Sequence, residues 1–160
     1  MSVSSFLPKQ VDSALTDIAV DTDAMPWIQT APGIELKPLQ FWAASGQWAQ
    51  LSRYQPGVRS DRHVHTGGQV MSYVISGSWH YLEHDWIAKP GSWVWEPPGD
   101  LHTLEILGDQ EMTAIFILSG VVQYLDDNDQ IVRQTDFRSR RLQYLEHCKQ
   151  HGIKPIPMIG

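Results

Sequence analysis

Three histidines carry the most suggestive chemistry in this sequence. His63 and His65 stand two apart in PGVRSDRHVHTGGQV, and His102 follows the stiff corner EPPGDLH. In an extended strand, residues i and i+2 share a face, so His63 and His65 aim their rings at one point while Val64 faces the other way. Converging imidazoles suit a transition metal. An isolated His-x-His is as readily a pair of surface histidines. His102 tips the balance, because Pro97-Pro98-Gly99 offers a rigid turn that returns the chain with a third imidazole facing inward.

Acids and amides near these histidines are the next candidates. Glu96 ends the run GSWVWE and shares strand parity with Val94, opposite Trp93 and Trp95. If Val94 lines the interior, Glu96 lies under the histidines, where it can accept a ring N–H or act as a base. Glu83 in YLEHDW is its rival, with the parity of Trp79 and Tyr81, and is an alternative fourth ligand. Gln69 is polar and adjacent, but its parity makes it a solvated strand residue. His80 and His84 share one face and read as surface or interface residues. His147 and His151 are i and i+4 near a helix end and read as a solvated pair. Trp79, Trp93 and Trp95 either wall an aromatic-substrate pocket or pack in the core or against another subunit.

The chain that must position these groups has 160 residues, enough for one domain with its own core. Its net charge of -6 argues against the basic footprint of a nucleic-acid binder and leaves room for a small neutral or anionic ligand where a metal supplies local positive charge. A single cysteine, Cys148, excludes an intrachain disulfide framework and suits a reducing compartment. No apolar run approaches a membrane span and the N-terminus does not resemble a signal peptide, so a cytoplasmic protein without membrane contact is expected.

Residues 1–33 are polar and Pro/Gly-punctuated, and read as an N-terminal arm. From 34 to 135, short runs rich in Val, Ile, Trp and Tyr alternate with Gly, Pro and Asp breaks, the pattern of an antiparallel sandwich or barrel. Asp126 to Gln130 (DDNDQ) reads as a hairpin turn. Residues 136–160 hold one helix and a tail: Leu142, Leu145 and Cys148 are spaced as a packing stripe, and Gly152 marks the stop.

The histidine region resembles the two motifs of the cupin superfamily. In the first, Gly57 is followed after five residues by His63-Val64-His65, after four more by Val70, and after six by Gly77. In the second, Gly91 is followed after five residues by Pro97-Pro98-Gly99, after two by His102, and after three by Ile106. The spacings fit, with two departures: Val70 stands where the family has Glu, and Ile106 where it has Asn. HTGGQV, GSWHYLEHDW and EPPGDLHTL further resemble the group of 2,4'-dihydroxyacetophenone dioxygenase and acetylacetone dioxygenase, from about Gly33 to Gly152.

The resemblance implies an all-β cupin-type β-barrel (a jelly roll) with an N-terminal arm and a C-terminal α-helix, assembled as a homodimer or homotetramer. It implies metal ligation by His63, His65 and His102, with Fe(II) as cofactor and Zn, Ni or Mn as alternatives, and Glu96 as a catalytic or supporting group. The activity implied is dioxygenase cleavage of a C–C bond in a β-diketone or hydroxyketone with O2. The alternatives are a zinc-binding sensor similar to ChrR-type anti-sigma factors, whose sigma-binding segment is not evident here, and a non-oxidative isomerase or lyase. Val70 has a physical reading on this basis. Three neutral imidazoles leave a divalent metal its full charge, which favours an incoming anion such as the enolate of a diketone.

Overall fold

In the computed structural model, which describes residues 19–155, twelve strands precede one helix. They are β1 (Ile28–Ala31), β2 (Ile34–Trp42), β3 (Gln47–Tyr54), β4 (His63–Thr66), β5 (Val70–Ser76), β6 (Ser78–Tyr81), β7 (Trp93–Glu96), β8 (Leu101–His102), β9 (Leu104–Leu107), β10 (Met112–Leu118), β11 (Val121–Leu125), β12 (Ile131–Thr135) and α1 (Phe137–His151). The first eighteen residues of the expected arm and the last five of the tail lie outside the described residues; β1 falls within the remainder of the arm and pairs with β2.

Every strand pairing is antiparallel. A six-stranded sheet runs β1-β2-β3-β10-β5-β7, a four-stranded sheet β12-β11-β4-β8, and β6 pairs with β9. The sheets do not close into one continuous barrel; they form a jelly-roll arrangement of antiparallel strands. Alternation decides which side chains fill it. Met112, Ala114, Phe116 and Leu118 of β10 point inward, as do Val70, Ser72 and Val74 of β5. They join Trp48, Trp79, Phe41 and Val122 in one core. Each large side chain buried there contributes about 1.5–3 kcal/mol.

Two glycines hold the motif segments in place. Gly77, at φ +68°, joins β5 to β6, and a Cβ there would lie 2.6 Å from the Met112 backbone. Gly99, at φ +91°, closes the Pro-Pro-Gly corner, and its N–H donates to the carbonyl of His65 (2.8 Å). That bond ties the approach to His102 onto the strand that carries the other two histidines.

The DDNDQ turn forms as expected: the Asp126 carboxylate accepts from the N–H groups of Asn128 and Gln130 (both 2.9 Å) between β11 and β12. Helix α1 starts at a reciprocal capping box between Asp136 and Ser139 and stops at Gly152, which is left-handed. The face it buries differs from the expected one. Tyr144 and Cys148 pack into the core, while Leu142 is 59% exposed. Three-residue spacing leaves the face of a short helix ambiguous by part of a turn, and docking on the barrel chose the side holding Tyr144. No helix among the described residues is long and apolar enough to cross a membrane.

Candidate metal centre

His63 and His65 project from the same face of β4, and His102 sits on β8 directly across from His63. All three are buried, His102 completely. One ring nitrogen of each lies within 4.8 Å of those of the other two. The ring centroids are 5.3 Å apart for His63–His65, 4.7 Å for His63–His102 and 5.5 Å for His65–His102.

The surroundings set which nitrogen faces the cluster. The Asp61 carbonyl is 2.9 Å from Nδ1 of His63, and the Asp100 carboxylate is 3.5 Å from Nδ1 of His102. A proton held at each Nδ1 leaves Nε2 as a lone-pair donor, the arrangement that orients metal-binding imidazoles. His84 in turn places Nε2 2.7 Å from the same Asp100 oxygen, so a chain of contacts runs from the part-exposed His84 to the cluster. Tyr81 stacks flat on His102, with centroids 3.7 Å apart and planes 7° from parallel.

Glu96 is the acid of the centre. Val94 and Glu96 face inward on β7 and Trp93 and Trp95 face outward, as parity required. One Glu96 oxygen is 3.3 Å from Nε2 of His65 and 3.5 Å from Nε2 of His102. Its position explains the departure at residue 70. Val70 is buried, lines the same cavity, and is the direct cross-strand partner of Glu96. A carboxylate absent from β5 thus lies directly across the strand pair on β7.

The electrostatics suit neutral imidazoles around a charged acceptor. Burial, with His102 and His65 nearby, pushes His63 down to about 3. Burial also lowers His102, against the opposing pull of Glu96. Burial alone would raise Glu96, but the neighbouring His65 and His102 outweigh it and hold it below the usual carboxylate range. Burial, then the Glu96 charge, raises Tyr81 well above an ordinary tyrosine, so its hydroxyl remains protonated.

The donor set fits a metal ion. Nδ1 of His65, Nε2 of His102 and both oxygens of Glu96 are sealed from solvent without an aligned hydrogen bond among the described residues. Buried polar atoms left this way are costly unless something else satisfies them. Three converging imidazole nitrogens suit a divalent transition metal, with the Glu96 carboxylate beside them.

The centre opens into a cavity of about 320 Å³ whose lining includes His63, His65, Glu96, Tyr81 and Val70, the apolar and polar side chains Leu118, Val122, Trp48, Gln50, Tyr54 and Tyr124, and the cations Arg59, Arg133 and Arg140. That volume lies at the small end of the range for organic-ligand pockets. A polar ladder on β3 lines one wall: the Trp48 indole donates to Gln50 (3.0 Å), and the Gln50 amide donates to Ser52 (2.9 Å).

Among the other candidates from the sequence, some fall where expected and some need correction. Glu83 is no ligand: β6 ends at Tyr81, the alternation ends with it, and the exposed Glu83 accepts from the Thr103 N–H (2.8 Å). The same break separates His80, paired with Glu105 (2.9 Å), from His84, which belongs to the surroundings of His102. Trp79 is fully buried in the core and Trp93 and Trp95 are 60% and 56% exposed, so none of these three walls the cavity; Trp48 does. Gln69 turns away and accepts from the Trp95 indole (2.7 Å). His147 and His151 stack on the helix surface with centroids 4.2 Å apart. Tyr81, Asp100, Tyr124 and Arg140 had no sequence signal of their own; only Asp100, two residues before His102, lay where a search for a supporting carboxylate could have found it.

The fold and this centre define a cupin, and comparison with known proteins agrees. The model of the ChrR cupin-like domain matches residues 15–123. A solved RmlC-like cupin protein from Ralstonia eutropha JMP134 is 32% identical, with a TM-score of 0.84, over 89% of this chain and 94% of that one. An acetylacetone dioxygenase from Acinetobacter johnsonii shares the fold, with a TM-score of 0.73 and 15% identity over 88% of this chain and 97% of that one. No curated protein matches the sequence. The chain belongs to the cupin family, and within it to the ChrR cupin-like domains.

Proposed function

We propose that this protein is an Fe(II)-dependent dioxygenase that cleaves a C–C bond in a β-diketone or hydroxyketone. The observation carrying this reading is that the histidine cluster borders, through His63 and His65, a cavity large enough for an organic ligand. A structural metal is normally enclosed by its ligands, whereas a catalytic one keeps positions open. When bound, Fe(II) would supply Lewis acidity toward a two-oxygen chelate and a site for O2 chemistry.

The chain's own residues divide the remaining work. His63, His65 and His102 hold the ion, with Asp61 and Asp100 fixing two of the rings. Glu96 is charged and next to the cluster, placed to take a proton from the acidic carbon of the ketone. Tyr81 keeps its proton and stacks flat on His102, limiting the movement of that ring. Val70, Leu118 and Val122 keep water away from that end of the cavity. The fold shared with an acetylacetone dioxygenase supports the reading at the level of architecture.

A zinc-binding sensor is the second reading, favoured by the match to the ChrR cupin-like domain. Oxygen consumption separates the two. The Fe(II)-loaded protein, offered diketones and hydroxyacetophenones, should consume O2 one-for-one and release two carboxylic acids, each with one atom from labelled oxygen gas. No uptake across the panel, with iron bound, would transfer the assignment to the sensor or to a non-oxidative enzyme.

The protein also acts as a homo-oligomer on this reading. Tyr73 opposes Trp93 and Met71 opposes Trp95 on the outer face of β5 and β7, where Tyr73, Ile75, Trp93 and Trp95 leave a contiguous apolar patch. Patches of this kind mark association surfaces.

A further inference from the structure

The wall of the same cavity carries a cation without a counter-charge among the described residues. Arg140 of α1 lines the cavity. Its Nη1 donates to Gln143 (2.6 Å), but its Nε is sealed from solvent and meets no acceptor among the described residues. The neighbouring arginines differ. Arg133 pairs with Asp61 (3.0 Å) and lies over the Tyr124 ring, and Arg59 pairs with Glu105. No carboxylate among the described residues pairs with Arg140. With Nη1 engaged, the Nε–Nη2 edge is left, and that edge of a guanidinium grips a carboxylate through two parallel hydrogen bonds. Burial pulls Arg140 below the ordinary arginine range, the direction expected of a cation removed from water.

Resting on the dioxygenase reading, we infer that the substrate is an organic acid whose carboxylate is bound by Arg140 while its ketone end faces His63, His65, His102 and Glu96. The lining between these ends fits such a molecule. Leu36, Leu118 and Val122 would pack on its carbon skeleton, and Tyr54 and Tyr124 offer hydroxyls along the way. A carboxylate fits this partly apolar channel better than a phosphate, which would need a fuller set of donors. Arg140 is a binding and specificity residue here, remote from the bond that breaks.

Matched probes test the assignment. The full chain, both metal-loaded and metal-stripped, is titrated calorimetrically with 4,6-dioxoheptanoate, its neutral methyl ester, and 2,4-heptanedione. The acid should bind at least about tenfold more tightly than the ester, as expected when a buried cation gains its partner. That preference should survive metal removal, should vanish in Arg140→Met, and should partly return in Arg140→Lys, which restores a point charge without the fork. Equal affinity of acid and ester for the wild-type chain overturns the inference, whatever the variants do. A preference for the acid with no oxygen uptake would keep the carboxylate site while removing the dioxygenase reading.

Discussion

Two histidine pairs of this chain have spacings that suggest metal binding, and their surroundings separate them. His63 and His65, two apart on β4, are buried, face a third imidazole across the strand pair, and lie beside a buried carboxylate. His147 and His151, four apart on α1, stack on each other in contact with solvent, and the ring of His151 approaches only the carbonyl of His147 (2.9 Å). Spacing brings two rings together in both places. What distinguishes the strand site is the neighbouring structure: a carbonyl for His63, a carboxylate for His102, and buried polar atoms without an aligned hydrogen bond among the described residues. A site is defined by those second contacts as much as by its ligands.

The largest expected contrast is in metal content. His63→Ala, His65→Ala and His102→Ala should each abolish stoichiometric metal binding with the β-sheet circular dichroism signal retained, whereas the double change His147→Ala/His151→Ala should leave metal content unchanged. Metal retained in the barrel variants, or lost in the helix variant, breaks the comparison. Glu96→Gln comes next: metal stays bound while turnover falls about 10²-fold or more, as for loss of a positioned acid–base group. Wild-type turnover in that variant would reduce Glu96 to a structural role. Asp100→Asn should weaken metal affinity about 10–100-fold, the usual cost of removing a carboxylate behind a ligand histidine; equilibrium competition with a chelator measures it.

Acid should separate the pairs in the metal-free protein as well. His63 is lowered to about 3 when folded, while an unfolded histidine titrates near its ordinary value of about 6.5. Between those values the unfolded chain binds more protons, so stability is full above about 6.5 and declines as pH falls toward 3. Denaturant titrations across that window should show a loss that His63→Gln reduces. The smallest effect belongs to the helix: His151→Ala, on an exposed turn, should change stability by less than about 0.5 kcal/mol. A larger change would mean that the stacked pair holds the helix end.

The fold and the convergence of the three histidines were legible because they depend on local, repeating geometry. Strand alternation aims His63 with His65, the Pro-Pro-Gly corner delivers His102, and regular parity through β7 turns Glu96 inward. The same rule misplaced Glu83, since parity has no meaning past the end of β6 at Tyr81. Alternation set Trp93 and Trp95 opposite Glu96, which already placed them outside the cavity once Glu96 faced in. Arg140 and Tyr81 could not be read from the sequence. A long side chain on a helix reaches wherever docking puts it, and the contact of Tyr81 with His102 depends on the packing of β6–β9 against the sheet formed by β4 and β8.

The central claim is that three imidazoles converge on one metal ion in the barrel. X-ray absorption on the metal-loaded wild-type chain tests it directly by counting the imidazole scatterers around the ion. The account predicts three, falling to two in any single His→Ala variant that can still be forced to take up metal. One imidazole or none in the wild-type spectrum would contradict it.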